Sequence, residues 1–425
     1  MVRRSTAARI QSALLRGLFQ RQCLLEYKSQ TNAGLVSKSN NVEGVVELLW
    51  LCPRSDGAQM IKVGIIGCGK VADQHAIQIQ RLPGAEIVAV CDSEPLMAHQ
   101  MYERFKTKTH FTLVKEMLAS VKPDVVHITT PPQSHFGLAK MCLEAGCHVY
   151  VEKPFTLNTT EAEQLIDLAN HNGKKLTAGH NAQFTHAMIK MRKLVEDGYL
   201  GGEPVHMESI YCYNLGDESY AKALLGDAEH WIRKLPGSLL QNIISHGISK
   251  IAEFLKSDRP LVIAHGFTSP FLESIGQKDI VDEVRVVIRD EGSRTAYFTF
   301  SSQISPTLHQ FRLYGPKNSL MVDDDHQVLI KITNREYKSY ARYFIPPVVY
   351  AKQYIENLGG NLRKFIANDF HLPFDAGLKT LIGTFYSSVL NNAPLPISYR
   401  DILRTSWIMD EIFCQMKNPR AARGN

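Results

Sequence analysis

The sequence predicts an α/β domain built on a doubly wound parallel sheet, followed by an α+β domain with an open, mainly antiparallel sheet. Three observations carry this. Residues 60–180 alternate short β-rich apolar runs with helical stretches, the texture of parallel strands covered on both faces. Residues 260–324 run instead through closely spaced alternating segments, several joined by short Gly, Asp or Asn turns, as antiparallel strands can be. At 425 residues the chain is also long for a single core.

The first 59 residues stand apart. They hold eight Lys/Arg against four acids and so supply +4 of the formal net charge of +6. Arg-rich and acid-poor as far as Arg21, they resemble an organelle transit peptide. Met60 stands immediately before the first strong strand, and we read residues 1–59 as an upstream extension rather than as a targeting segment. The rest of the chain is nearly neutral and shows no basic face of the kind that binds nucleic acid.

From Met60 the expected order is IKVGII (61–66), a helix to about Arg81, EIVAVC (86–91) and a helix to about Phe105. VVHIT (125–129), a helix near 133–145, HVYVE (148–152), a helix near 159–171 and KLTAG (175–179) complete a unit over 60–180. In such a sheet the ligand crevice lies beyond the carboxyl ends of the strands. The second unit, 181–425, begins with a helix at about 185–197, PVHMESIYCY (204–213), a polar loop and one amphipathic helix over 235–255. Strands are expected at 260–268, 282–290, 295–302, 308–315 and 318–324, then helices around 347–366, 373–391 and 400–416.

Composition narrows the class. An apolar fraction of 44% with 21% charged residues is that of a globular protein. No apolar run approaches the roughly 20 residues a spanning helix needs, so no membrane partner is expected. The eight cysteines include no C-x-x-C pair and no Cys/His cluster at zinc spacing. No metal site is expected, and a reducing compartment, the cytoplasm, fits best.

Gly67-Cys68-Gly69-Lys70-Val71-Ala72 follows a strand and opens a helix, the context in which G-x-G-x-x-A binds a dinucleotide. Gly67 allows the tight turn, Gly69 lets the backbone approach a pyrophosphate, and Ala72 permits close helix–strand packing. The helix N-terminus then offers its free N–H groups to the phosphates. Asp92 ends the next strand, 25 residues after Gly67, where a carboxylate can accept from ribose hydroxyls. With no arginine close behind Asp92 to meet a 2′-phosphate, NAD is preferred over NADP. Thr130, Pro131 and His135 after one strand, and Glu152-Lys153-Pro154 after the next, lie at the same crevice. Prolines start helices well and a Glu-Lys-Pro turn can simply be solvated, so these residues alone leave the choice open.

Together these stretches resemble the glucose–fructose oxidoreductase / inositol dehydrogenase (Gfo/Idh/MocA) family. The resemblance runs through VGIIGCGKVADQH, VAVCD, ITTPPQSH, AGCHVYVEKPF and TAGHNAQF to HWIRKLPGSLLQNIISH and GLKTLIGTFYSSVL. It implies an N-terminal Rossmann domain and a C-terminal open sheet through which subunits associate. It also implies hydride transfer between a nicotinamide and a sugar or cyclitol carbon. The family's lysine maps onto Lys153, which orients the reacting hydroxyl and can exchange its proton, with Glu152 reaching the cofactor ribose. Its helical Asp-x-x-x-His pair maps onto Asn242 and His246, four residues apart and so on one helix face. An amide can orient an imidazole but cannot stabilise an imidazolium as a carboxylate does. Gln183 stands where the family often has arginine, while Asn181 and Trp231 are further substrate candidates that packing would explain as well. A redox-neutral enzyme of this fold, oxidising a sugar transiently to assist elimination, and a non-catalytic NAD-binding regulator are the alternatives.

Overall fold

The computed structural model describes residues 60–214, 230–367 and 377–417. The extension at 1–59 and most of the polar loop before Trp231 lie outside the described residues.

The first sheet has six parallel strands in the order β3-β2-β1-β4-β5-β6: β1 (Ile61–Ile66), β2 (Ala85–Cys91), β3 (Thr109–Phe111), β4 (Val125–Ile128), β5 (His148–Val151) and β6 (Leu176–Ala178). The crossovers are α1 (Lys70–Gln80), α2 (Pro95–Phe105), α3 (Val114–Val121), α4 (His135–Glu144) and α5 (Thr159–His171). Local chemistry starts several of these helices. Pro95 occupies the first turn of α2, where its missing N–H costs nothing. Before α5 the Asn158 side chain accepts the Glu161 N–H at 2.9 Å, a side-chain N-cap. Strand residues such as Val63, Ile65, Val90, Val125 and Val149 are fully buried, as both faces of a covered parallel sheet must be.

Register decides where the site forms. Ile66 pairs with Cys91 and with Ile128, Ile128 with Val151, and Val151 with Ala178. The carboxyl ends of five strands therefore stand level, and the loops after them open at one edge.

After α6 (His186–Glu196) and β7 (His206–Asn214) come α7 (Ser238–Ile243), α8 (Ser245–Ala252), β8 (Leu261–Phe267) and α9 (Pro270–Ser274). The strands β9 (Glu283–Arg289), β10 (Thr295–Ser301), β11 (Gln303–Tyr314), β12 (Asn318–Asp323) and β13 (Val328–Thr333) follow. The sheet order is β13-β12-β11-β7-β10-β9-β8, antiparallel except for β7 beside β10. Ile244, Ile248 and Ile251 pack with Phe298, Phe311 and Leu313 on one face. The other face leaves Ile263, Phe267, Val287 and Tyr297 exposed. The last helices are α10 (Ala341–Ile366), α11 (Leu378–Asn391) and α12 (Tyr399–Lys417). Leu381, Phe385 and Tyr386 of α11 return to complete the core of the first sheet.

The architecture is the expected one, with local differences. β3 with α3, and the strand β13, were not expected. The run 235–255 is two short helices, not one. The Asn242 carbonyl, the acceptor a continuous helix would offer to the His246 N–H, takes a hydrogen bond from the Lys153 ammonium at 2.9 Å.

Candidate active site

The glycine turn is built as the motif requires. Gly67 has φ +92°, and a Cβ there would lie 2.7 Å from the Thr130 methyl. Both the positive φ and the close strand-loop contact exclude larger residues. A Cβ on Gly69 would meet nothing within 4 Å, so the backbone borders open space just where α1 begins. No side chain caps that helix, which leaves its first N–H groups free for an anion. Lys70 and Val71 are exposed beside it, and Ala72 is buried against the sheet.

Asp92 is fixed by both oxygens: Oδ2 accepts the Cys68 N–H at 2.7 Å and Oδ1 the Glu94 N–H at 2.9 Å. The acid thus sits against the glycine turn with lone pairs left for hydroxyls. Arg104, on neighbouring α2, is engaged with Asp73 at 2.6 Å. A glycine cradle, an uncapped helix start and an anchored carboxylate fit a dinucleotide.

Across the crevice, Thr130 receives the Ser134 hydroxyl at 2.7 Å, and Pro131 precedes the short turn that opens α4. The buried His135 ring joins two loops, with Nδ1 2.9 Å from the Pro154 carbonyl and Nε2 2.9 Å from that of Thr130. Gln133 donates to the Trp231 carbonyl at 2.8 Å, which ties this loop to the one before α7.

Lys153 is half-buried and precedes a cis proline, Pro154. Its ammonium donates to the Asn242 carbonyl at 2.9 Å and lies 3.5 Å from the Asn242 side-chain oxygen. Burial pulls its pKa below the ordinary lysine value, and the Glu152 carboxylate opposes this. His246 begins α8 beside Tyr211, ring centroids 5.6 Å apart, and its Nδ1 is buried with no partner. Burial holds this imidazole well below its usual pKa, and the charge of Lys153 adds to the effect. It is therefore neutral near pH 7. His180 is buried too, and burial lowers its pKa to about 4.

Glu152 turns inward. Its Oε1 accepts from His75 Nε2 at 2.9 Å and its Oε2 from the Lys153 N–H at 3.1 Å. Burial alone would raise its pKa, but the hydrogen bond from His75 and the neighbouring charges outweigh that and hold it low. A Cβ on Gly179 would lie 2.7 Å from Oε1, so a larger residue there would displace the carboxylate. Behind His75, His127 Nδ1 lies 2.8 Å from His75 Nδ1, and the Tyr386 hydroxyl lies 2.8 Å from His127 Nε2. His75, His127 and Tyr386 were not singled out from the sequence. A histidine on the buried face of the first helix is the one signal that pointed there.

Gln183 is buried, donating to the Ser249 carbonyl and to Glu253, each at 3.2 Å, while Arg192 pairs with Glu253 at 2.5 Å. Asn181 opens the short turn after β6, and Trp231 packs with Ile232, Leu239 and Leu272. The structure thus brings Glu152, Lys153, Asn242 and His246 together, and sets Gln183 into the packing beneath α8. Among the described residues no cluster of three metal-binding side chains occurs. No helix there is long and apolar enough to cross a membrane.

Comparison with known proteins agrees with this fold. Residues 61–180 match the family model described as an oxidoreductase family with an NAD-binding Rossmann fold. D-glucoside 3-dehydrogenase of Escherichia coli (strain K12) is 37% identical over 142 residues, 33% of this chain and 40% of that enzyme. Inositol 2-dehydrogenase of Rhizobium meliloti (strain 1021) is 23% identical over 310 residues, 72% of this chain and 88% of that one. The match to the first of these relatives thus spans less than half of its length. Among solved structures, the WlbA dehydrogenase from Bordetella pertussis, in complex with NADH and UDP-GlcNAcA, superposes with TM-score 0.66 at 16% identity. It covers 86% of this chain and 98% of its own, and at that identity it speaks for the fold. Residues 61–180 are a Rossmann domain of the Gfo/Idh/MocA oxidoreductase family.

Proposed function

We propose that the protein is an NAD-dependent dehydrogenase or reductase acting on a secondary alcohol of a sugar, sugar derivative, nucleotide-sugar or cyclitol. The observation that carries this reading is the meeting of Lys153 with the Asn242–His246 turn at the crevice edge of the dinucleotide cradle. A bound nicotinamide supplies the hydride acceptor or donor. The chain's residues manage the proton and the orientation.

Lys153, with its pKa lowered by burial, can give up or receive a hydroxyl proton at neutral pH. Its contact with the Asn242 carbonyl aims the ammonium along the turn where substrate would lie. His246, held neutral, serves as a hydrogen-bond partner to the same hydroxyl. Asn242 adds no negative charge, so an imidazolium is poorly supported and Lys153 carries the larger share. The names of the relatives, a glucoside 3-dehydrogenase and an inositol 2-dehydrogenase, support a polyol as the substrate class. Association of copies through the outward face of the second sheet, at Ile263, Phe267, Val287 and Tyr297, belongs to this reading.

The test is to purify the protein, identify any nicotinamide that accompanies it, and screen sugars, glucosides, nucleotide-sugars and cyclitols at the reduced-cofactor band. Turnover with a polyol supports the reading. Bound cofactor without turnover on any of them contradicts it.

A further inference from the structure

Helix α10 is inside out. A surface helix ordinarily turns its apolar stripe to the core and its polar residues to water. Here the buried residues are Gln353 and Asn357. Gln353 accepts the Lys331 N–H at 2.7 Å and donates to the Lys331 carbonyl at 3.1 Å. Asn357 does the same to Leu329, at 3.1 and 2.9 Å. Two side-chain amides one helical turn apart thus satisfy alternate residues of β13, the sheet's edge strand, as a further strand would. Asn361 adds a hydrogen bond to the His326 carbonyl at 2.9 Å. The helix is held to the body by amides, and the edge is closed to other strands.

Its apolar residues point away. Phe344, Val348, Ile355, Leu358, Leu362 and Phe365 are each more than half exposed. With the tyrosines between them they present apolar surface on the order of 1,000 Å², where the largest patch on a typical monomer is a few hundred. A stable interface takes about 800 Å² from each partner.

We propose that α10 is a self-association arm that packs against a second copy of this chain. The patch has the area a permanent dimer needs and the apolar, aromatic composition of homodimer cores. A surface this apolar must be covered wherever the chain is made, and a second copy is the partner always supplied in equal amount. Two-fold closure then satisfies both arms at once. The inference stands apart from the catalytic reading and from the outward face of the sheet.

The test compares the full chain with its Val348→Glu/Ile355→Glu/Leu358→Glu variant by light scattering and sedimentation over a range of concentrations. All three positions are exposed, and circular dichroism checks that the fold is retained. The expected result is an associated wild type and a variant of at most half its mass, with dissociation at least 100-fold easier. A mixture of normal and isotope-labelled copies, cross-linked at lysine, should also join Lys352 to residues of the other isotope. A monomeric wild type, or a variant of unchanged mass, overturns the proposal. So do cross-links from Lys352 that stay within one copy and reach Lys28 or Lys38, which would make residues 1–59 the cover.

Discussion

His75 and His127 face each other nitrogen to nitrogen, Nδ1 to Nδ1 at 2.8 Å, inside the first domain. One proton serves that contact, so one ring donates there and the other accepts. An ionised Glu152 can only accept, which puts a proton on His75 Nε2; in the neutral tautomer that leaves His75 Nδ1 as the acceptor. His127 then donates through Nδ1 and accepts the Tyr386 hydroxyl at Nε2. The chain of donors runs one way, from α11 to the carboxylate beside the candidate catalytic lysine. Tyr386→Phe leaves the buried Nε2 of His127 without its hydrogen-bond partner, at about 1–3 kcal/mol of stability. Urea unfolding measures it, and an unchanged midpoint at equal slope contradicts the arrangement.

Acid should destabilise the fold steeply. Burial holds His127 and His246 well below their usual pKa and lowers His148 and His180 to about 4. The unfolded chain, with ordinary histidines near 6.5, then binds more protons than the folded one. Stability is fully present above pH 6.5 and falls as pH drops toward 4, by up to ~1.4 kcal/mol per pH unit for each such group. Unfolding midpoints across that range check this, and a flat profile contradicts it.

The two glycines of the turn should respond differently to alanine. Gly69→Ala meets no protein atom within 4 Å, so stability should stay within about 0.5 kcal/mol while NAD affinity falls at least ~10-fold as the methyl enters the phosphate path. Gly67→Ala combines φ +92° with a 2.7 Å contact and should lower both. Thermal melts and cofactor titration separate the two, and equal effects would remove the assigned division of labour.

Much of this was legible in the sequence. β1, β2, β4, β5 and α5 lie where apolar runs and helical periodicity put them, because covered parallel strands are written as continuous β-branched stretches. The edge strand Thr109–Phe111 is short and only half-buried, so it carries no such run. β13 does carry the signal, VLIKIT after an Asp-rich turn. The break between α7 and α8 was not legible, because a lysine 89 residues away takes the carbonyl. The Tyr386–His127 contact joins residues 259 apart, and no local pattern marks it.

Asn242→Asp would place a carboxylate where the side-chain oxygen now lies 3.5 Å from the Lys153 ammonium. A neighbouring anion favours the charged lysine, so the Lys153-controlled limb of the kcat/KM profile should move to higher pH. A limb that stays put, or moves down, would show that Lys153 does not set it.

Lys153 is proposed to handle the hydroxyl proton in an NAD-dependent oxidation or reduction of a polyol. The most direct measurement of this role is single-turnover absorbance at the reduced-cofactor band, with wild type and Lys153→Ala each loaded with NAD. Wild type should give a reduced-cofactor signal with at least one sugar, glucoside, nucleotide-sugar or cyclitol. In Lys153→Ala that rate should fall ~100-fold or more at little-changed cofactor affinity. An equal rate in the variant would mean that Lys153 does not handle the proton.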